Sequence, residues 1–449
     1  MIGLELTFLD IALSTSYFVL ILFIAKSISS SQSRKFNSSY TKHIFNFVLV
    51  KIIGAILFSL LHIFVYKGGD TLVYFNCSKF YLEQILQDPL SIGKLFSSDY
   101  QSLKALSYNK NFIGRYYLQS NDVRLMAKIG SFFCFLGFKQ FMATNIIVST
   151  FSCLGIWKIY SVMSRIAPRV HHLLAIGILY YPTTLIWSSG LLKDTFCIAA
   201  IGYIFWASTQ LVLRKNITKS IMLIVASIYI CLILKPYILY TFTPVVLLWI
   251  QDSLTKKITN KYLKLTIKPF ILGSFVLGAY LFVFTVSESA GKYSLENVQS
   301  VAQGFHDWHT YLADTRGQSG YSLGDVDFTL TGIIIKSPEA FFVTYYRPFI
   351  FYDTRNFATI FESIQSLVLL ILTLIILIRV GLFKSLKLIA TNHHIRAFFI
   401  FSVIFGVTVG LTSYNFGALS RYKIPALPFY TTSLVLIYYF GYLKNKLIH

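Results

Sequence analysis

The sequence has 449 residues, of which 55% are hydrophobic and only 13% are charged, with a mean hydropathy of +0.63. A soluble chain of this length needs far more charge to cover its surface, so a set of soluble domains is excluded. The formal net charge of +22 would suggest a nucleic-acid partner in a soluble protein. Here the basic residues are spread through short loops between apolar segments, which indicates one membrane domain over residues 1–449, with the lipid bilayer and no nucleic acid as partner.

The apolar segments recur along the whole chain, each long enough to cross the hydrocarbon core as a helix. No basic residue precedes the first one, whereas a cleavable signal peptide has a basic n-region and a small-residue cleavage site, so the sequence favours an uncleaved first helix. Residues 125–138 form a shorter run that includes Lys128, and this favours an interfacial or re-entrant helix. The sequence predicts an all-α polytopic membrane protein of about eleven transmembrane helices: 7–25, 44–65, 142–160, 172–188, 195–213, 220–235, 237–251, 269–287, 361–378, 397–413 and 424–441.

The basic residues predict the orientation of these helices. The segments on one side of the predicted membrane hold 21 of the Lys and Arg residues and a single acidic residue, Asp252. Because basic loops face the cytoplasm, the N-terminus is predicted to lie outside and the C-terminus in the cytoplasm. Two large loops, residues 67–141 and 288–360, then face outward, and both contain stretches with the pattern of amphipathic helices.

Asp70 is the first candidate for chemistry, at the outer end of the second predicted span. The preceding Gly68 and Gly69 let the backbone turn sharply and approach a ligand closely. A carboxylate beside a low-dielectric cavity suits a general base. The alternative is that Asp70 simply caps the helix that follows.

Two lysines are candidates for binding an anion at the same side of the membrane. Lys193 and Asp194 lie in a short outer link, where Lys193 could bind an anionic head group, although an exposed ion pair that merely ends two helices is the alternative. Lys235 lies at the tip of a short apolar hairpin, which should place its charge below the outer surface. A lysine that reaches along the hairpin to the interface is the alternative there.

Two further clusters combine arginine with aromatic residues before late spans. Arginine suits bidentate phosphate contact, and aromatic rings can pack on a lipid or a sugar. An aromatic and cationic belt at the membrane interface would have a similar sequence, but a helix bundle can bring all these outer cations into one pocket. The residues concerned are Tyr346, Arg347, Asp353 and Arg355 in the first cluster and Arg421, Tyr422 and Lys423 in the second.

Other polar residues are weaker candidates. His306 and His309 lie in a polar loop, where such pairs seldom bind metal, and Asp325 with Asp327 fits a solvated turn better than a nucleotide-sugar site. His62, inside the second span, fits a packed core histidine. The five cysteines are scattered and predict neither a zinc site nor a disulfide framework.

The order of these features resembles the GT-C superfamily, whose members are glycosyltransferases that use polyprenyl-phosphate sugars. Gly68-Gly69-Asp70 with Tyr74 resembles the acidic motif at the start of the first outer loop. The segment from Trp187 to Asp194 resembles a link between spans in bacterial members, and Arg421 to Pro425 resembles the R-Y-x-x-P motif before a late span. The resemblance covers residues 44–360 in layout and implies a GT-C-like bundle in the bacterial inner membrane, with the active site on its periplasmic face.

The resemblance also implies a mechanism. A sugar would pass with inversion from a polyprenyl-phosphate donor to a glycan, lipid or protein acceptor, with Asp70 as base. Fixed positive charge would stabilise the leaving phosphate. The resemblance assigns that charge to Lys193, Lys235, Arg347, Arg421 and Lys423, supported by Tyr74, Asp194, Tyr346, Asp353, Arg355 and Tyr422. The sequence shows no second carboxylate typical of a metal site beside Asp70, so no metal ligand is assigned and a divalent metal is left open.

Two other functions fit the same topology. An O-antigen-type polymerase or ligase would depend more on arginines of the outer loops than on Asp70. A flippase or transporter of a lipid-linked anion would place polar sites near the midplane on broken helices, often within inverted repeats, and the sequence shows no such repeat.

Overall fold

Long apolar segments become helices because a backbone in lipid must satisfy its own hydrogen bonds. A computed structural model describes residues 5–36, 39–97, 101, 103–104, 112–255, 319–324, 326–355 and 357–444, with isolated positions between 262 and 311. Within these residues the regular structure is helical, and a single antiparallel bridge joins Gly320 to Asn415. The all-α prediction is confirmed for this part of the chain.

The helices of the first half alternate between long apolar ones and shorter ones. They are α1 Phe8–Phe36, α2 His43–Leu60, α3 Asp70–Gln87, α4 Ser91–Phe96, α5 Asn121–Leu136, α6 Phe141–Ile166, α7 His171–Ile178, α8 Pro182–Trp187 and α9 Lys193–Val212. Those of the second half are α10 Ile217–Leu234, α11 Pro236–Thr255, α12 Leu330–Tyr346, α13 Phe357–Val380, α14 Leu382–Thr391, α15 His393–Ser413, α16 Phe416–Tyr422 and α17 Leu427–Tyr438. A π-helical turn extends α2 over Leu61–Tyr66, and another extends α17 over Tyr439–Leu443.

Eight helices among the described residues are long and apolar enough to cross a membrane: α1, α2 with its π-turn, α6, α9, α10, α11, α13 and α15. A ninth would be the pair α16 and α17, which is bent by 70° at its break. These nine correspond to nine of the predicted spans. The chain is therefore a multi-pass membrane protein in the described residues.

The two remaining predicted spans have different outcomes. Residues 172–188 form two short helices, α7 and α8, with a break before Pro182, which lacks a backbone N–H and begins α8. Most of residues 269–287 lie outside the described part. Residues 125–138 fall largely within α5, a helix of 16 residues that is not among the candidate spans.

By its contacts the chain divides into two units. The first unit comprises residues 1–157, 185–202 and 229–234, and the second comprises residues 158–184, 203–228 and 235–449. The predicted single domain therefore consists of two units interleaved along the sequence.

In the first unit, polar and small residues join the helices. The buried carboxylate of Asp10 accepts the backbone N–H groups of Met142 and Ala143 at 3.1 and 3.0 Å, which caps the first turn of α6. At Gly130 in α5, a Cβ atom would lie 2.0 Å from the Oγ of Ser78 in α3. Helices α3 and α5, both within residues 67–141, thus pack closely against each other.

In the second unit, α12 packs along α15. The hydroxyls of Thr344 and Tyr345 donate to the carbonyls of Gly406 at 2.7 Å and Ser402 at 2.8 Å. A Cβ atom at Gly410 would lie 2.3 Å from the Ala340 carbonyl oxygen. The hydroxyls bind backbone carbonyls and the glycine allows close approach, as is usual between helices in lipid.

Candidate functional site

Asp70 is the first residue of α3, and its side chain is exposed. The chain reaches it through left-handed backbone at Lys67 (φ 47°) and at Gly69 (φ 106°). Gly69 is the N-cap, so the alternative in which Asp70 itself occupies the cap position is wrong in detail. A negative charge in the first turn of a helix is favoured by the helix dipole. The structure thus places an accessible carboxyl group at a helix start.

His62 lies beside this turn, in the π-turn that extends α2. It is buried, and its Nδ1 lies 2.8 Å from the Phe58 carbonyl oxygen. Because a carbonyl oxygen only accepts, Nδ1 is the donor of this hydrogen bond. A Cβ atom at Gly69 would lie 3.9 Å from the Nε2 of the same ring. His62 is therefore a packed histidine, as predicted, whose ring lies against the Gly69 turn.

Lys193, the first residue of α9, is held by an acidic residue that the sequence analysis did not single out. Its Nζ lies 2.5 Å from Asp122 Oδ2, and 5.4 Å from the centre of the Tyr74 ring. Asp122 also accepts the backbone N–H of Val123. Asp194, by contrast, is buried. The predicted neighbouring pair of Lys193 with Asp194 is thus replaced by a pairing between distant segments.

Lys51 in α2 is a buried cation that sequence reasoning missed. Its Nζ donates to the carbonyl of Ser188 at 2.5 Å and to the hydroxyls of Ser188 and Ser189 at 2.7 and 2.9 Å. Ser149 and Ser152 of α6 bind the same link, at Ser189 Oγ and the Ser188 carbonyl. The Lys51 side chain therefore binds the buried carbonyl end of α8 and holds the link that leads to Lys193. A lysine inside an otherwise apolar span was the available signal.

Arg347 and Asp353, both predicted, form a bidentate pair in the second unit. Arg347 Nε lies 2.9 Å from Asp353 Oδ2, and its Nη2 lies 2.5 Å from Oδ1. The backbone N–H of Phe349 donates to the same carboxylate at 2.8 Å. The Asp353 side chain is only 2% exposed, so the charge of Arg347 is neutralised inside the protein. Arg355 is exposed, and Tyr346 is buried with its hydroxyl against that of Tyr430.

Lys423 is also paired, with Glu362, an acid in α13 that sequence reasoning missed. Lys423 Nζ lies 2.5 Å from Glu362 Oε1 and donates to the Thr344 carbonyl at 3.1 Å. The other carboxylate oxygen accepts the hydroxyl of Thr183 at 2.6 Å, and Gln365 accepts the Thr183 backbone N–H at 2.9 Å. These bonds satisfy the start of α8, which explains the break in the predicted span 172–188. A lone Glu within an apolar segment was the signal.

Lys235 and Arg421 share one aromatic ring in the second unit. Lys235 Nζ lies 4.2 Å from the centre of the Tyr422 ring, and Arg421 Cζ lies 5.1 Å from the same centre. Lys235 is buried, whereas Arg421 and Tyr422 are half-buried. Lys235 lies between α10 and α11, and Tyr422 ends α16, so two helix breaks supply this cluster. We call Lys235, Arg421 and Tyr422 the cation–tyrosine cluster.

The remaining candidates either lie outside the described residues or form local hydrogen bonds in a turn. His306, His309 and Asp325 lie outside them. Asp327 accepts the hydroxyl and the backbone N–H of Thr329, and these bonds hold the pKa of its carboxyl below the ordinary value. Its environment is that of a turn before α12, in line with the solvated turn predicted for this pair.

The candidate site residues fall in both units. Asp70, Tyr74, Lys193 and Asp194 belong to the first unit, and Lys235, Tyr346, Arg347, Asp353, Arg355, Arg421, Tyr422 and Lys423 belong to the second. Within the second unit, the cation–tyrosine cluster brings together residues from two distant parts of the sequence. Comparison with protein-family models, curated proteins and solved structures finds no match to this chain.

Proposed function

We propose that the protein is a membrane glycosyltransferase that takes its sugar from a polyprenyl-phosphate donor and binds the donor phosphate at the cation–tyrosine cluster. The observation that carries this proposal is the ring of Tyr422, with a lysine 4.2 Å and an arginine 5.1 Å from its centre. Two cations at a partly buried position create a strong positive potential. Such a potential suits the one charged group of a lipid-linked sugar.

The chemistry of the donor agrees with this assignment. When the sugar leaves, the bond between its anomeric carbon and the phosphate oxygen breaks, and negative charge grows on the phosphate. Fixed cations that are already in place stabilise that charge without reorganisation, commonly the largest contribution to such catalysis. Arg421 can bind two phosphate oxygens at once, and the Tyr422 ring offers an apolar face for the sugar or the prenyl chain.

The other predicted cations take a different part in this proposal. Lys193, Arg347 and Lys423 each lie at 2.5 Å from a carboxylate. We assign these three to holding the links between helices.

Asp70 is assigned the role of base, as the resemblance to GT-C enzymes implies. In the reaction that the resemblance implies, the acceptor hydroxyl displaces the phosphate from the anomeric carbon with inversion, and the proton of the hydroxyl passes to the Asp70 carboxylate. Two observations support this role: the Asp70 side chain is exposed to an acceptor, and it lies in the first turn of α3, where the helix dipole favours negative charge.

The phosphate assignment is tested by binding of undecaprenyl phosphate to the purified protein in nanodiscs. We expect Arg421→Gln and Lys235→Gln each to weaken binding about 10- to 100-fold, as loss of a charged hydrogen bond does. Lys215→Gln removes one charge from an exposed loop of the same unit and should bind like the wild type. Equal binding by the wild type and all three variants would show that the cation–tyrosine cluster does not bind the phosphate.

The transferase assignment is tested separately, by transfer of radiolabelled sugar from undecaprenyl-phosphate sugars in membranes. Asp70→Asn should lower turnover by about 10²–10⁴ while leaving undecaprenyl phosphate binding unchanged. Full activity of Asp70→Asn would show that Asp70 is not the base. A wild-type protein that binds the lipid and moves it across liposomes without transferring sugar would be a transporter instead.

A further inference from the structure

Helix α14 lies between two candidate membrane spans and cannot itself cross the bilayer. It has ten residues, so it is about 15 Å long, half the thickness of the hydrocarbon core. Gly381, with φ 86°, separates it from α13, and the side chain of Asn392 caps α15 directly after it. Helix α14 thus connects the candidate spans α13 and α15, with one non-helical residue at each of its ends.

One face of α14 is apolar and open. Leu382, Phe383 and Leu386 are 56%, 87% and 53% exposed, whereas Ser385 on the other face is buried. On the buried side the last helix approaches closely, since a Cβ atom at Gly441 would lie 2.4 Å from Val380 Cγ1 and 3.3 Å from Leu388 Cδ1. Helix α14 is therefore packed against the protein on one face, and its opposite, apolar face is exposed.

Three cations surround this open face. Lys384 donates to the Gly441 carbonyl at 2.5 Å, Arg379 donates to the Tyr438 hydroxyl at 2.9 Å, and Lys387 is exposed. Among the described residues no carboxylate lies within ion-pair distance of any of the three. The sequence itself holds no aspartate or glutamate after Glu362. Within the described part of the chain, the positive charge around α14 is thus not paired with a carboxylate.

Aromatic residues beside Arg379 indicate that this part of the molecule lies at a membrane interface. The side chain of Arg379 lies 5.6 Å from the ring of Tyr442, which stacks on Tyr438 with centres 5.5 Å apart. Tyrosines with basic neighbours at the ends of spans are typical of the head-group layer. We propose that α14 lies in this layer as an in-plane helix, with its apolar face among the acyl chains, and that Arg379, Lys384 and Lys387 bind the phosphates of anionic phospholipids.

The positive charge beside α14 favours anionic phospholipids over other ligands of its apolar face. An apolar face alone would fit any lipid or a second protein, but three uncompensated cations beside it favour anionic head groups. Each basic residue near an anionic surface enriches such lipids about fivefold at low salt, and salt weakens the effect. The inference does not depend on the proposed transferase activity.

The test uses a fluorophore on a cysteine at Phe383 in the full-length protein, because the five native cysteines are buried. The protein is placed in vesicles of phosphatidylcholine with 30% phosphatidylglycerol, and either lipid in turn carries bromine on its acyl chains as a quencher. We expect both brominated lipids to quench, with phosphatidylglycerol about fivefold more effective per molecule. A variant that combines Arg379→Gln, Lys384→Gln and Lys387→Gln should bring that ratio close to one, as should high salt.

A label at Val225, which is exposed in the candidate span α10, provides the matched control. Lipid there should quench equally with either head group. Absence of quenching by both lipids at Phe383 would show that water or protein covers α14 and would overturn the proposal. Equal quenching by both lipids in the unsubstituted background would show contact with lipid without selection of anionic head groups, and would overturn the proposed binding.

Discussion

At the scale of residues, the charged side chains inside this protein are stabilised in two ways. Arg347 and Lys423 are neutralised by Asp353 and Glu362. Lys51 instead binds three neutral oxygens at the end of α8. Both arrangements place a cation where a helix stops, because the backbone groups released there have no water to bind. The charged side chains inside the protein thus lie mainly where helices end and satisfy the groups released there.

Removal of the Asp353 charge should therefore destabilise the protein strongly. Asp353→Asn leaves the half-buried Arg347 guanidinium without its partner, and breaking a buried ion pair typically costs about 3–5 kcal/mol of unfolding free energy. The matched control is Glu339→Gln, whose carboxylate is 49% exposed and 3.4 Å from Lys336, and whose loss should change stability by less than about 1 kcal/mol. Thermal unfolding of both variants in detergent measures the difference. Equal midpoints would mean that the Arg347 pair contributes nothing to the fold.

At the scale of helices, close approach in the first unit depends on small residues. A Cβ atom at Gly202 in α9 would lie 2.0 Å from the Gly155 carbonyl oxygen in α6. One at Gly155 would lie 2.4 Å from the Cα of Ala199. Because lipid is as apolar as the helix surface, such tight van der Waals packing is what joins helices in membranes.

Gly202→Ala should accordingly force α6 and α9 apart. The neighbouring atom is backbone, which cannot turn aside, so we expect a loss of about 1–3 kcal/mol of stability. Gly93→Ala in α4 is the control, since nothing lies within 4 Å of its Cβ position and alanine favours a helix by about 0.5–1 kcal/mol. The two thermal shifts should have opposite signs, and a neutral Gly202→Ala would contradict the close packing.

At the scale of the whole molecule, the distribution of basic residues predicts which surfaces face the cytoplasm. The loop between α9 and α10 carries Arg214, Lys215 and Lys219, whereas the turn at Asp70 opens the first outer loop. If the positive-inside rule holds here, these two places lie on opposite sides of the membrane.

Cysteines placed at Asp70 and Lys215, both exposed, test this orientation. An impermeant maleimide should label Asp70→Cys in intact cells and label Lys215→Cys only after the membrane is opened. The wild-type protein, with five buried cysteines, gives the background. Labelling of Lys215→Cys in intact cells would reverse the predicted topology, and with it the placement of Asp70 outside the cytoplasm.

The sequence by itself determined that this is an all-α, multi-pass membrane protein, because hydropathy and helix length are local properties of each segment. It also indicated Lys235 and Arg421 as charged residues at breaks between apolar segments. Only the tertiary structure decided which charges meet: Lys193 pairs with Asp122, 71 residues away, and Lys423 pairs with Glu362. It likewise divided the predicted span 172–188, where Glu362 and Gln365 bind Thr183. Such pairings depend on how distant helices pack, which no local pattern encodes.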